Sequence, residues 1–148
     1  MTPTLSGRIQ TRLVLLAVLG LPWTIVVTPF LPRPAGGGLG ALYATTLAAL
    51  ILVAVLGAAL WEPLYHLLQQ CRWEKDWPTL FGLLVGFPES LLAWAALRAV
   101  GPSPETPAAN ALTFGVHFWT TWLLVWLAAL GPLRVVLLRW RYRGGRIF

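Results

Sequence analysis

Charge is scarce in this chain: Lys, Arg, Asp and Glu together make up 11% of its 148 residues, against roughly 25% in an ordinary soluble domain. Acid is scarcest, with five Asp or Glu in total. A water-soluble fold needs a polar surface, and this composition does not supply one. Cysteine is limited to Cys71, so no disulfide closes within the chain, a two-cysteine relay is excluded, and the thiol is expected on a reducing side. There is no Gly-x-Ser-x-Gly elbow, no phosphate-binding glycine loop, no His-Glu-x-x-His pair and no dense acidic motif to hold magnesium. No internal repeat is visible either, which weakens an inverted-repeat transporter reading. An enzyme is not expected.

What the chain has in abundance is apolar sequence, at 57% hydrophobic residues. Windows of ~20 apolar residues match the ~30 Å hydrocarbon core of a bilayer. Four such windows are present, at about residues 13–31, 39–61, 79–98 and 111–131. The expected fold is therefore an all-α integral membrane protein, a single domain over residues 1–148 with four transmembrane helices. Arg8 and Arg12 before the first window superficially resemble the start of a signal peptide. The run from Leu13 to Leu31 is longer than a signal core and no Ala-x-Ala follows it, so it reads as a retained helix. Pro22 and Pro29 predict a kink in that helix, Pro88 frees the carbonyl of Leu84, and Gly131-Pro132 should end the fourth span.

Basic residues set the expected orientation. With four spans, nine positive residues (Arg8, Arg12, Arg72, Lys75, Arg134, Arg139, Arg141, Arg143 and Arg146) fall on one side, and Arg33 and Arg98 on the other. The richer side belongs in the cytoplasm of the cell membrane, which puts both termini there. A three-span alternative would leave the basic tail outside. The formal charge of +6 is thus assigned to orientation and to anionic headgroups of the bilayer, not to nucleic acid. Residues 133–146 read as a basic amphipathic segment in the interface, with Arg134, Arg139, Arg141 and Arg143 on phospholipid headgroups. The stretch from Glu62 to Pro78, which interleaves acids, bases and tryptophans, reads as a cytoplasmic interfacial collar.

Glu89 is the most informative position. It lies about 16 Å into the third span, near the bilayer centre, where an ionisable group is costly and is neutral, paired or turned inward. Gly82, Gly86, Ala93 and Ala96 share its helix face, so that face should look into the bundle, with Gly82-x-x-x-Gly86 as a close-packing pattern. Ser90 turns about 100° away from Glu89. His117 in the fourth span falls at a comparable depth, and a Glu89 to His117 hydrogen bond is the expected pairing; the bland reading of the histidine is one satisfied by a threonine or a carbonyl. Thr113, Thr120 and Thr121 form a weak polar stripe near His117, and Trp119, Trp122 and Trp126 an aromatic stripe on another side. Glu62 and His66, four apart, could pair or share a metal, but two ligands are too few, and His66 and His117 differ too much in depth to hold a haem. No metal and no cofactor are expected.

These features favour a non-catalytic polytopic protein acting as a subunit, anchor or scaffold that associates with other membrane subunits or with itself. The alternative is a small transporter or channel with a proton or cation site at Glu89 and His117.

Overall fold

The computed structural model describes residues 4–33, 38–71, 79–100, 110–137, 140 and 142–147. Helix is the only regular structure among them, and four helices are long and apolar enough to cross a bilayer: α1 (Leu5–Phe30), α2 (Leu39–Gln70), α3 (Thr79–Val100) and α4, which runs over Ala111–Leu130 and is followed past Gly131 by a short helix, α5 (Pro132–Val136). The collar residues 72–78 and Arg139 and Arg141 lie outside the described residues.

Two helices are longer than the apolar windows indicate. The Thr4 hydroxyl accepts from the Gly7 amide at 3.1 Å and caps α1, which starts at Leu5 and not at Leu13, about two turns earlier. At the other end of the pair, α2 continues past Trp61 to Gln70. Arg8, Arg12 and Glu62, read from sequence as flanking charges, are thereby drawn into the helices.

Proline shapes both of these helices without breaking them. Wide π-helical turns occupy Leu16–Gly20 in α1 and Gly57–Trp61 in α2, and Pro22 and Pro63 follow them closely. A proline ring crowds the carbonyl four residues back and offers it no N–H, and an expanded turn relieves that crowding. Pro29 sits in the 3-10 turn Thr28–Phe30 that ends α1. Pro88 falls one turn beyond an irregular step at Val85 in α3, where the Val85 and Glu89 amides still bond four residues back.

Helices α2 and α4 pack against each other and against both remaining helices, so α1 and α3 stand at opposite corners of the bundle. The apolar core is built from Leu16, Ala49, Leu50, Val53, Ala93 and Leu97, with Phe114 and Phe118 of α4 closing it. Large apolar side chains also cover the outside, including Val18, Ile25, Ile51, Val55, Leu91 and Leu127. Polar side chains, by contrast, are buried: Thr24, Thr28, Glu89 and Thr113 are 2% exposed or less. Apolar outside and polar inside is the arrangement a lipid solvent selects.

The tail is not one continuous element among the described residues. Only Pro132–Val136 is helical before Leu137, and the last described residues fold back onto the start of α1. Gly144 and Gly145 adopt φ of 63° and 83°, a turn that other residues strain to make. The Thr4 amide donates to the Gly144 carbonyl at 2.8 Å, the Thr11 hydroxyl to the Gly145 carbonyl at 2.9 Å, and the Trp140 indole to Thr11 Oγ1 at 2.7 Å. Gly7 leaves no room for a Cβ beneath this turn. The two ends of the chain therefore meet on one side of the bundle. Arg134, Arg143 and Arg146 are exposed there.

Candidate functional site

The charged residues inside the bundle converge on Arg12. Its guanidinium donates two N–H groups to the Glu89 carboxylate, Nη1 to Oε2 at 2.6 Å and Nη2 to Oε1 at 2.8 Å. Its Nε donates to Glu62 Oε1 at 2.7 Å, and Glu62 Oε2 accepts from Arg8 Nε, also at 2.7 Å. The guanidinium carbon lies 5.6 Å from the centre of the Trp122 ring, at cation–π distance. One side chain of α1 thus touches α2, α3 and α4, and spans the diagonal between the two opposite corners. The fork geometry of arginine makes this possible, since a lysine offers a single point of charge.

The cluster is balanced, with Arg8 and Arg12 against Glu62 and Glu89, and it is shielded. The Glu89 side chain is 2% exposed and that of Arg12 10%. Arg8 Nη1 also donates to Gln69 at 3.3 Å, and Tyr65, stacked on Trp61, stands beside Glu89. Gly57 faces the Arg12 guanidinium so closely that a Cβ would overlap it. The absence of a side chain at Gly57, the first residue of the wide turn, therefore leaves the space in which the arginine lies.

Glu89 is turned inward, as its small-residue neighbours indicate, but its partner is not His117. His117 Nε2 meets Thr24 Oγ1 of α1 at 2.9 Å, and the Thr121 hydroxyl donates to the His117 carbonyl at 2.7 Å. Ser90 stays out of the cluster and donates to the Phe87 carbonyl at 2.7 Å. Glu62 and His66 do not pair; His66 Nε2 meets the Gln70 amide at 3.1 Å on the surface. Gly82 and Gly86 accept tryptophan rather than a helix backbone. A Cβ on Gly86 would stand 2.8 Å from Trp122 Nε1, and one on Gly82 3.3 Å from Trp126 Nε1, which donates to the Thr79 carbonyl at 3.2 Å. The small-residue face of α3 and the aromatic stripe of α4 are two halves of one contact.

A cavity of about 270 Å³ lies beside the cluster, walled mainly by α1, α2 and α4 and reached by Gly82 of α3 and by Trp140 and Gly145 of the tail. Arg8, Arg12 and Glu62 border it toward the chain ends, and His117 and Thr121 border it farther along α4. Its wall between them is mostly apolar and aromatic, with Phe118, Trp122 and Val125 prominent. A second void of about 10 Å³, lined by Thr45, Thr46, Thr113 and His117, has room for about one water.

The arginines and Glu62 were legible only as flanking charges. The signal for their true role is the spacing of Arg8 and Arg12, four apart on one helix face, set against two acids in otherwise apolar spans. No protein-family model, curated protein or solved structure matches this chain.

Proposed function

We propose that this is a non-catalytic multi-pass protein of the cell membrane that works as a subunit, anchor or scaffold, with both chain ends in the cytoplasm. The observation that carries this reading is the closed pairing of Arg8, Arg12, Glu62 and Glu89. Ionisable groups in a span mark function when they line an open route, and here they are engaged with one another between the helices. Their role in this reading is to fix which helix faces which. The outer face of the bundle, apolar along the spans and basic at the end where the termini meet, suits lateral association and anionic headgroups. The glycine face of α3 does not add to that argument, because Trp122 and Trp126 fill it from within.

Purification in mild detergent, followed by mass and composition of what co-migrates, tests the proposal. Stoichiometric companions or a defined homo-oligomer are expected. A pure monomer under conditions that keep the protein folded would contradict it.

A second reading has one observation in its favour: His117 borders both the large cavity and the water-sized void. A small transporter would use that position, with the threonines beyond it, as a proton step. The wall between the charged end of the large cavity and His117 is mostly apolar, so the polar groups do not form a continuous line along it, which favours the first reading.

A further inference from the structure

We infer that the large cavity is a binding site for one acyl chain of an anionic amphiphile, whose headgroup rests on the arginines where the chain ends meet. Shape is the first argument. On α4 the lining residues run from Phe114 to Ala129, and on α2 from Ala49 to Glu62, which at 1.5 Å per residue makes a slot about 20 Å long. A volume of about 270 Å³ spread over that length is narrow, suited to a chain and not to a compact solute. Leu16, Leu50, Val53 and Phe118 give it the wall an alkyl chain requires, and burial of each methylene there is favourable.

Charge is the second argument. At the end near the chain termini the slot is bordered by Gly7, Arg8, Thr11, Trp140 and Gly145. Within the bundle, Arg8 and Arg12 are balanced by Glu62 and Glu89. Arg143 and Arg146, which flank the Gly144–Gly145 turn, are exposed and add positive charge at this end. Arg8 engages Glu62 and Gln69 through Nε and Nη1, and a guanidinium carries further N–H donors. An anionic headgroup, phosphate or carboxylate, complements this end, whereas a cationic one meets repulsion. The opposite end of the slot is bordered by Phe114, His117 and Thr121, with no Arg, Lys, Asp or Glu among the lining residues there, and takes the end of the chain. The site gives the fold a specific lipid in addition to a surrounding bilayer.

Native mass spectrometry of the full-length, delipidated protein in detergent tests this, with dipalmitoyl phosphatidylglycerol, dipalmitoyl phosphatidylcholine and palmitate as probes. The expected result is one tightly retained phosphatidylglycerol or palmitate per chain, held at least tenfold more strongly than phosphatidylcholine. Preference for phosphatidylglycerol over palmitate identifies a phospholipid as the source of the chain, and the reverse identifies a free fatty acid. Ala129→Phe, which fills the slot from α4, should weaken retention at least tenfold while circular dichroism shows the helices intact. The double variant Arg143→Gln/Arg146→Gln, on the exposed turn, should reduce the anionic preference by a similar factor and decides the matter if Ala129→Phe does not fold. Equal retention of phosphatidylcholine and phosphatidylglycerol by the wild type, or unchanged retention in the folded variants, would overturn the assignment.

Discussion

Arg12 and Glu89, 77 positions apart in the chain, meet as a two-pronged ion pair at 2.6 and 2.8 Å across the bundle diagonal. Helices α1 and α3 are the two that the packing of α2 and α4 keeps apart, so this pair ties together elements that apolar contact alone does not. Apolar packing also discriminates poorly between helix arrangements in lipid, because lipid tails are as apolar as the helix faces. A charge pair does discriminate. Any arrangement that separates Arg12 from Glu89 strands two charges in a low-dielectric interior, and each costs at least ~2.5 kcal/mol there.

The tryptophan slots on α3 give a first prediction. Gly86→Leu should destabilise the bundle by at least ~1–3 kcal/mol, the usual cost of overpacking, because a Cβ alone would already stand 2.8 Å from Trp122 Nε1. Leu92→Ala, at a half-buried position of the same helix, should cost less. Unfolding in mixed micelles measures both, and equal tolerance would show that the glycine face does not hold the indole.

The tail turn gives a second. Trp140→Phe keeps the aromatic body and removes the 2.7 Å bond to Thr11, a loss of about 1 kcal/mol. Gly7→Val drives a side chain into the turn at Gly144 and Gly145. Carboxypeptidase digestion of the C-terminal residues should be slow in the wild type, faster in Trp140→Phe and fastest in Gly7→Val. The same rate in all three would mean that the tail is not docked.

Orientation is testable by labelling. Cys71 is exposed at the end of α2, and Arg143 is exposed on the tail. In intact cells an impermeant maleimide should leave both Cys71 and a cysteine introduced as Arg143→Cys in a Cys71→Ser background unmodified, and should modify them after permeabilisation. Modification of the tail in intact cells would reverse the assigned orientation.

Four helices long and apolar enough to span a membrane were legible in the sequence because each rests on a window of about twenty mostly apolar residues, and the inward face of Glu89 followed from the glycines and alanines at its helical spacing. The partner of Glu89 was not legible, and the reason is physical. Charges normally end apolar windows, so Leu13 and Trp61 appeared as boundaries. Inside this bundle Arg8 and Arg12 are neutralised by Glu62 and Glu89, and the helices run through them. Once α1 begins at Leu5, Arg12 rather than His117 comes level with Glu89. His117 has the bland reading's kind of partner, a threonine, but one on another helix that the sequence did not single out: the Thr24 hydroxyl of α1, itself bonded to the Gly20 carbonyl at 2.8 Å. The slots for Trp122 and Trp126 were visible as two separate stripes whose complementarity required the packing.

If the paired carboxylate serves structure and not transport, vesicles should show it directly. Liposomes containing the wild type and a trapped pH dye should show no protein-dependent proton flux under an imposed gradient, and Glu89→Gln should behave the same way. Flux in the wild type that Glu89→Gln abolishes would favour the transporter reading, since an amide cannot exchange the proton.

The measurement that bears most directly on the role of Arg12 is a double-mutant cycle of Arg12→Met and Glu89→Leu, read as unfolding free energy in mixed micelles. Arg12→Met leaves the Glu89 carboxylate buried without its cation and should cost ~3–5 kcal/mol, whereas Glu89→Leu leaves Arg12 its bond to Glu62 but the cluster one positive charge in excess, and should cost less. The double variant should be less destabilised than the sum of the singles, because Glu62 keeps its bond to Arg8 at 2.7 Å and two apolar side chains then face each other, giving a coupling energy of about 1–3 kcal/mol. Additive losses, with the double variant as unstable as the sum of the singles, would contradict a pairing of Arg12 with Glu89 in the folded bundle.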